Sequence, residues 1–200
     1  MLLDADDSQL LLVDYQSRLM PSIHEGEAVL ANAKRLARIA KLLEVPVWAT
    51  EENPAGLGEN PAELKALCRR TLAKMSFSAV ADGLVEMLRP PAKAQGGNAR
   101  SLPKHLQKPA VAENQRNTIV VAGCEAHVCL LQTSLDLLDE EFDVWVVTDA
   151  CSSRTERSRD AAFDRLAGAG AELVTTEMVA FEWLRSCEHP LFKEVLALVK

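Results

Sequence analysis

Three side chains that could together break an acyl bond are spread along the sequence: Asp14, Lys74 and Cys129. A cysteine attacks a carbonyl carbon as its thiolate, so it needs a base to take its proton and a positive charge to stabilise the sulfur anion. A carboxylate and an ammonium supply these two functions. Taken singly, each residue has a more ordinary interpretation: Asp14 as a turn or helix cap, Lys74 as a solvated surface group, and Cys129 as buried packing.

The elements around these residues predict a sheet that brings them together. Short apolar segments alternate with amphipathic helices, which is typical of a mostly parallel α/β sheet covered on both faces. The predicted strands are residues 8–14, 45–50, 70–74, 118–122, 143–148 and 172–174, and the predicted helices are 27–43, 79–88, 127–139, 155–169, 176–186 and one after residue 190. Ligands of such sheets bind beyond the carboxyl ends of the strands, where we expect the three side chains to meet.

The length of the chain predicts one domain, because 200 residues can bury one core and are few for two. Residues 53–58 are rich in Gly and Pro and follow a strand, so they are interpreted as an irregular loop that builds a pocket. Residues 90–117 are rich in Pro, Gly, Lys and Gln without a sustained period. They are interpreted as a surface insertion within the single domain 1–200.

Composition argues against several classes of partner. The chain has 22 basic and 29 acidic residues, and a formal charge of −7 repels nucleic acid and anionic membranes. No apolar run approaches the roughly 18 to 20 residues that span a bilayer. The amino terminus is acidic, unlike a secretory signal. Five cysteines at scattered positions fit reduced thiols better than a disulfide framework. A soluble, cytoplasmic protein with a small-molecule substrate is therefore expected.

One segment identifies a family. Residues 121–130, VAGCEAHVCL, resemble the nucleophile segment of the isochorismatase-like cysteine hydrolases, which include nicotinamidases and N-carbamoylsarcosine amidases. Further similar motifs are LLLVDYQ at 10–16, KMSFSA at 74–79 and VVTDACSSR at 146–154, while 42–58 and 189–200 resemble the isochorismatase domain-containing subgroup. The resemblance implies the isochorismatase-like hydrolase fold, a three-layer α/β/α sandwich with a six-stranded, mostly parallel, Rossmann-like sheet.

The resemblance also implies roles for individual residues. Asp14 is expected to be the general base, Lys74 the cation beside the thiol, and Cys129 the nucleophile. A cis peptide bond is expected between Cys124 and Glu125, and the backbone N–H groups of Glu125 and Cys129 are expected to form an oxyanion hole. The implied reaction hydrolyses an amide or ureide through a thioester. Isochorismatases proper lack this cysteine, which argues against isochorismate as the substrate.

The metal site of nicotinamidases is not expected in this chain. Those relatives hold a metal through an Asp-x-His motif and a further His after the second strand. Residues 50–54 read TEENP, and no histidine occurs between His24 and His105. The sequence therefore predicts neither a metal nor another cofactor.

Candidate pocket residues flank the motifs. Tyr15, Leu19 and Phe77 are predicted to line the pocket, although apolar neighbours of strand ends are often core residues. Glu52 either faces the pocket or is a solvated loop carboxylate. His127 is expected to pack at a helix start rather than to act in catalysis. The relatives usually assemble as homo-oligomers, so a dimer or tetramer is expected.

Two other functions compete with hydrolysis. The fold could serve as a catalytically idle, oligomeric scaffold, against which the intact Asp14, Lys74 and Cys129 count. It could also be a thiol redox sensor, with Cys129 oxidised near Cys124. The sequence contains no Cys-x-x-Cys motif that would favour this role.

Overall fold

The computed structural model describes residues 1–89 and 116–200. The predicted surface insertion at 90–117 lies outside the described residues, apart from Arg116 and Asn117. Arg116 donates a hydrogen bond of 2.8 Å to the carbonyl of Ser8, at the start of the first strand. After the undescribed residues, the chain therefore returns to the sheet beside the first strand.

Six parallel strands form one sheet in the order β3-β2-β1-β4-β5-β6. They are β1 Ser8–Val13, β2 Val47–Glu52, β3 Arg70–Lys74, β4 Thr118–Gly123, β5 Asp143–Val147 and β6 Glu172–Val174. Every residue of β1 and β4 is buried, which is the expected position of continuous apolar strands in a sheet covered on both faces. The predicted α/β class and six-stranded sheet are confirmed.

Helices cover both faces of the sheet. They are α1 Gly26–Leu42, α2 Pro54–Leu57, α3 Ala62–Lys65, α4 Leu84–Leu88, α5 Leu131–Asp139, α6 Glu156–Gly168, α7 Thr176–Leu184 and α8 Phe192–Val199. α1 contacts α7 and α8 in one layer, and α5 contacts α6 in the other. Threonines cap two of these helices, since Thr155 accepts from the N–H of Ser158 and Thr175 from that of Met178. No helix in the described ranges is long and apolar enough to cross a membrane.

Most predicted bounds differ from the structure by one or two residues at most, and three predicted segments differ in kind. The helix predicted over 79–88 is divided, with a 3-10 turn at Val80–Asp82 and α4 after Gly83, whose φ of 94° ends the turn. The helix predicted over 127–139 opens with a π-helical turn, Ala126–Leu130, before α5. The loop predicted at 53–58 contains the single turn of α2.

The strand order reverses between β1 and β4, the two central strands. β1 connects to β2 on one side, whereas β4 connects to β5 on the other, so their carboxyl ends open a crevice. Val13 pairs with Gly123 at this point. A β-carbon on Gly123 would lie 2.4 Å from the carbonyl oxygen of Val13 and 2.5 Å from its Cβ. Glycine is therefore required for the two strands to approach closely at the crevice.

Gly123→Ala tests this close approach. We expect the substitution to lower the free energy of unfolding by at least about 2 kcal/mol, because the backbone of Val13 cannot move without disturbing the sheet. Urea denaturation followed by circular dichroism measures the change. Gly168→Ala is the matched control, since nothing lies within 4 Å of its added β-carbon. Equal stability of the two variants would contradict the requirement.

Candidate active site

Asp14 is the first residue after β1, and the backbone turns there. Its φ of 53° lies in the left-handed region, which is uncommon for a residue other than glycine and is often found at functional sites. The side chain is fully buried. Its Oδ1 accepts a hydrogen bond of 2.6 Å from Oγ1 of Thr50, on the neighbouring strand β2. Asp14 is thus fixed in one orientation at the carboxyl end of the sheet.

Lys74, the last residue of β3, pairs with Asp14. Its Nζ lies 2.8 Å from Oδ2 of Asp14, and both side chains are fully buried. Nζ also donates to the carbonyls of Ser76 at 3.2 Å and Phe77 at 3.1 Å. A buried ion pair is tolerated only where further hydrogen bonds satisfy the charged groups, and these carbonyls supply them for the ammonium.

One oxygen of the pair is left without a well-aligned donor. Although Oδ2 of Asp14 is close to Nζ, it accepts no hydrogen bond of good geometry from any residue in the described ranges. Buried carboxylate oxygens normally have such a partner. Oδ2 can therefore accept a proton from a third group, and the nearby thiol is that of Cys129.

Cys129 completes the cluster, since its thiol is near enough for Asp14 and Lys74 both to act on it. The residue is 7% exposed. The pKa of the thiol is raised to about 12, mainly by burial and also by the negative charge of Asp14, while Lys74 lowers it. Loss of solvation therefore outweighs the effect of the Lys74 ammonium.

Residues 152–154 form hydrogen bonds with the segment between β4 and α5. The peptide bond between Cys124 and Glu125 is cis. Oε2 of Glu125 accepts from both the backbone N–H and the Nε of Arg154, each at 3.0 Å. The N–H of Ala126 donates to the carbonyl of Ser152 at 2.8 Å. These contacts fix the turn whose amides, at Glu125 and Cys129, were predicted to form the oxyanion hole.

The predicted pocket residues occupy different environments. Tyr15 is fully buried, and its hydroxyl donates to the carbonyl of Ala150, so it belongs to the core and lines no solvent-open pocket. Leu19 is half-buried and packs on the core. Phe77 is 52% exposed beside the ion pair. Glu52 is half-buried; burial raises its pKa, Lys74 lowers it and Asp14 raises it, which places the carboxylate near both residues.

His127 has a structural contact. Its Nδ1 lies 2.9 Å from Oγ of Ser153. This bond ties the turn that carries Cys129 to the segment after β5, in agreement with the packing role expected from the sequence. Among the described residues, no group of three His, Cys, Asp or Glu side chains is arranged to hold a metal ion.

Two residues that support the site were not identified from the sequence. Thr50 orients Asp14, as described above. Gln16 is fully buried, and it binds Glu52 twice, donating to its carbonyl at 2.8 Å and accepting from its N–H at 2.9 Å. It also donates to the carbonyl of Gly58 at 2.6 Å. The available signal was a polar residue two positions after Asp14, where an apolar core residue would be ordinary.

Known proteins share both the sequence and the fold. The isochorismatase domain model matches residues 102–178. Isochorismatase domain-containing protein 2A of Mus musculus is 35% identical over 98% of this chain and 84% of its own length. The MAR1 ribonuclease of Caenorhabditis elegans superposes with a TM-score of 0.83 at 29% identity, covering 100% of this chain and 92% of that one.

Two further solved structures are similar over nearly the full length. YcaC of Pseudomonas aeruginosa, determined with hexane-2,5-diol and covalent acrylamide, gives a TM-score of 0.82 at 25% identity, covering 98% of this chain and 91% of that one. YcaC of Escherichia coli, described as an octameric hydrolase of unknown specificity, gives a TM-score of 0.82 at 27% identity, covering 98% and 88%.

Asp14→Asn tests the electrostatic control of the thiol. Since the charge of Asp14 raises the pKa of Cys129, its removal should lower that pKa even though the base is lost. Thiolate formation is followed by its absorbance near ~240 nm, with the matching Cys129→Ser protein subtracted. The unaltered protein should show no transition below about pH 10, and the variant should show its transition at a lower pH than the unaltered protein. The exposed Asp139→Asn is the control. An unchanged or higher pKa in Asp14→Asn would contradict the assignment.

Proposed function

Because the chain belongs to the isochorismatase family of hydrolases, we propose that it hydrolyses a small amide or ureide through Cys129. The observation that carries the proposal is the buried ion pair of Asp14 and Lys74, 2.8 Å apart, with the thiol beside both residues. Cysteine-dependent acyl transfer requires a nucleophile, a base and a cation that lie close enough to act on one another.

The first half of the reaction forms a thioester. Sγ of Cys129 attacks the substrate carbonyl carbon while its proton passes to Oδ2 of Asp14. The carbonyl oxygen becomes negatively charged and is bound by the N–H groups of Glu125 and Cys129. Asp14 then gives the proton to the leaving nitrogen, the C–N bond breaks, and ammonia or an amine departs. Lys74 stabilises negative charge on sulfur or carboxylate throughout.

The second half releases the acid and restores the enzyme. Asp14 takes a proton from a water molecule whose oxygen attacks the thioester carbonyl carbon. The C–S bond breaks, a carboxylic acid leaves, and the sulfur recovers the proton held by Asp14. For a ureide the acid formed is a carbamic acid. No step uses a metal or another cofactor, and Asp14 carries every proton that is transferred.

The relatives bear on this proposal in different ways. The P. aeruginosa relative was determined with covalent acrylamide, an electrophile that reacts with thiols, so acrylamide is a suitable probe for Cys129. The C. elegans relative is named a ribonuclease. In this chain a formal charge of −7 disfavours a polyanionic substrate, and a thiol nucleophile favours attack on a carbonyl carbon. Hydrolysis of RNA is therefore not proposed.

The two competing functions are less well supported. A redox sensor needs an accessible thiol of low pKa, whereas Cys129 is 7% exposed and its pKa is raised. A scaffold has no use for two charges buried at the end of the sheet, since such pairs seldom add stability over apolar packing. Five free cysteines fit a cytoplasmic location.

Variants of the site test hydrolysis. Ammonia release from a panel of small amides and ureides should show turnover, and Cys129→Ser or Asp14→Asn should lower kcat/KM at least about 10³-fold. Mass spectrometry should detect the acyl adduct on Cys129. Cys187→Ser, which alters an exposed thiol, is the control and should retain activity. Turnover of RNA that depends on Cys129, with no amide hydrolysed, would overturn the proposal.

A homo-oligomer is proposed from the surface beside the site. Met75 and Phe77 are 70% and 52% exposed. They lie on either side of Ser76, in the segment that follows β3. Large exposed apolar side chains clustered at a functional site indicate contact with another chain. The E. coli relative is octameric, and a second copy of this chain would cover Met75 and Phe77.

Light scattering coupled to gel filtration tests the assembly. The unaltered protein should have at least twice the monomer mass of 21.9 kDa. Met75→Lys combined with Phe77→Lys should lower the mass, because two buried ammonium groups cannot be solvated in an interface. Met178→Lys, an exposed apolar residue on α7, is the control. A monomeric unaltered protein would end this proposal.

A further inference from the structure

Glu52 lies on the same face of the sheet edge as the catalytic candidates. Side chains alternate along a strand, and Thr50, two positions earlier, bonds Asp14. The intervening Glu51 points away and accepts from the N–H of Asn60 at 2.8 Å. Glu52 is also the register partner of Lys74 on β3. Its carboxylate therefore extends toward the mouth of the site, one step beyond the ion pair.

The backbone of Glu52 is held more firmly than an ordinary loop position. The fully buried Gln16 bonds both its N–H and its carbonyl. The next N–H, that of Asn53, donates to the carbonyl of Lys74 at 2.8 Å. A buried amide that bonds both the N–H and the carbonyl of one residue fixes where that residue's side chain begins. Glu52 is thereby positioned as part of the site.

Within residues 1–89 and 116–200, the carboxylate of Glu52 is not paired with a cation. Among the described residues it takes part in no ion pair within 4.0 Å and accepts no hydrogen bond. Lys74, whose charge lowers the pKa of Glu52, already binds Asp14 and two carbonyls. The neighbouring Glu51 and Glu59, by contrast, both contact Lys65. A half-buried carboxylate without a partner gains most from a cation supplied by a ligand.

We infer that Glu52 binds a positively charged group of the substrate, so that the preferred substrates are small amides or ureides that carry an amino group. The inference rests on the proposed function for the scissile carbonyl. The carbonyl carbon of a neutral amide lies against the sulfur of Cys129, and its substituent extends toward Glu52. An anionic substituent is disfavoured, because Asp14 and Glu52 both repel it.

Two amides of equal size test the inference. β-Alaninamide carries an ammonium where butanamide carries a methyl group, and malonamate presents a carboxylate. The unaltered protein should prefer β-alaninamide over butanamide by at least about tenfold in kcat/KM, as expected for one partly solvated charge pair. Glu52→Gln should bring this ratio close to one, and Glu52→Lys should favour malonamate. Glu59→Gln removes an equal charge from the same loop and should leave the ratio unchanged.

Alkylation of Cys129 gives a readout that does not need turnover. The rates for the cationic 2-bromoethylamine, the neutral iodoacetamide and the anionic iodoacetate are measured by peptide mass spectrometry. The cationic-to-neutral ratio should fall at least about fivefold in Glu52→Gln, and it should not fall in Glu59→Gln. The ratio compares reagents within one protein, so a general change in thiol reactivity cancels.

The outcomes separate the two proposals. If amides are hydrolysed and neither ratio responds to Glu52→Gln, the role of Glu52 is overturned while the hydrolase stands. If no amide or ureide is hydrolysed but the alkylation ratio changes, Glu52 does bind cations at this thiol, and the reaction class is wrong. Equal changes in Glu52→Gln and Glu59→Gln would indicate a general effect of net charge and overturn the inference.

Discussion

The structure depends on two opposite charges that are buried together at the carboxyl end of the sheet. Removing a carboxylate and an ammonium from water costs several kcal/mol each, which their attraction offsets only in good geometry. Thr50 holds one oxygen of Asp14, and the carbonyls of Ser76 and Phe77 hold Lys74. Residues at the ends of three adjacent strands, β1, β2 and β3, therefore form or stabilise this one ion pair.

Much of the fold could be predicted from the sequence. The two predictions that missed a structural feature did so for the same reason. β3 and β6 have their predicted bounds. The division of the 79–88 helix at Gly83 and the π turn before α5 were missed, since the apolar periodicity continues through both. The π turn depends on contacts made after folding, such as the bond from Ala126 to Ser152.

The site could be predicted less evenly. The ion pair and the thiol meet where the motifs and strand ends indicated. Tyr15 was predicted to line the pocket and Gln16 was not identified. Both are buried, and the sequence does not show which side chains of a turn point into the core. The protonation state of Cys129 also escaped prediction. It depends on how deeply the sulfur is buried, whereas the sequence reveals only the charges that accompany it.

A raised thiol pKa is compatible with a nucleophilic role because the proton has a destination inside the site. Losing it to water would leave Asp14, Lys74 and the sulfur with a net charge of about −1 in a poorly solvated region, which the raised pKa of Cys129 reflects. Passing it to Asp14 instead leaves the three groups neutral overall, as before. Only the position of the negative charge changes, and Lys74 contacts both positions. Burial that opposes a free thiolate therefore still permits one that forms together with a protonated aspartate.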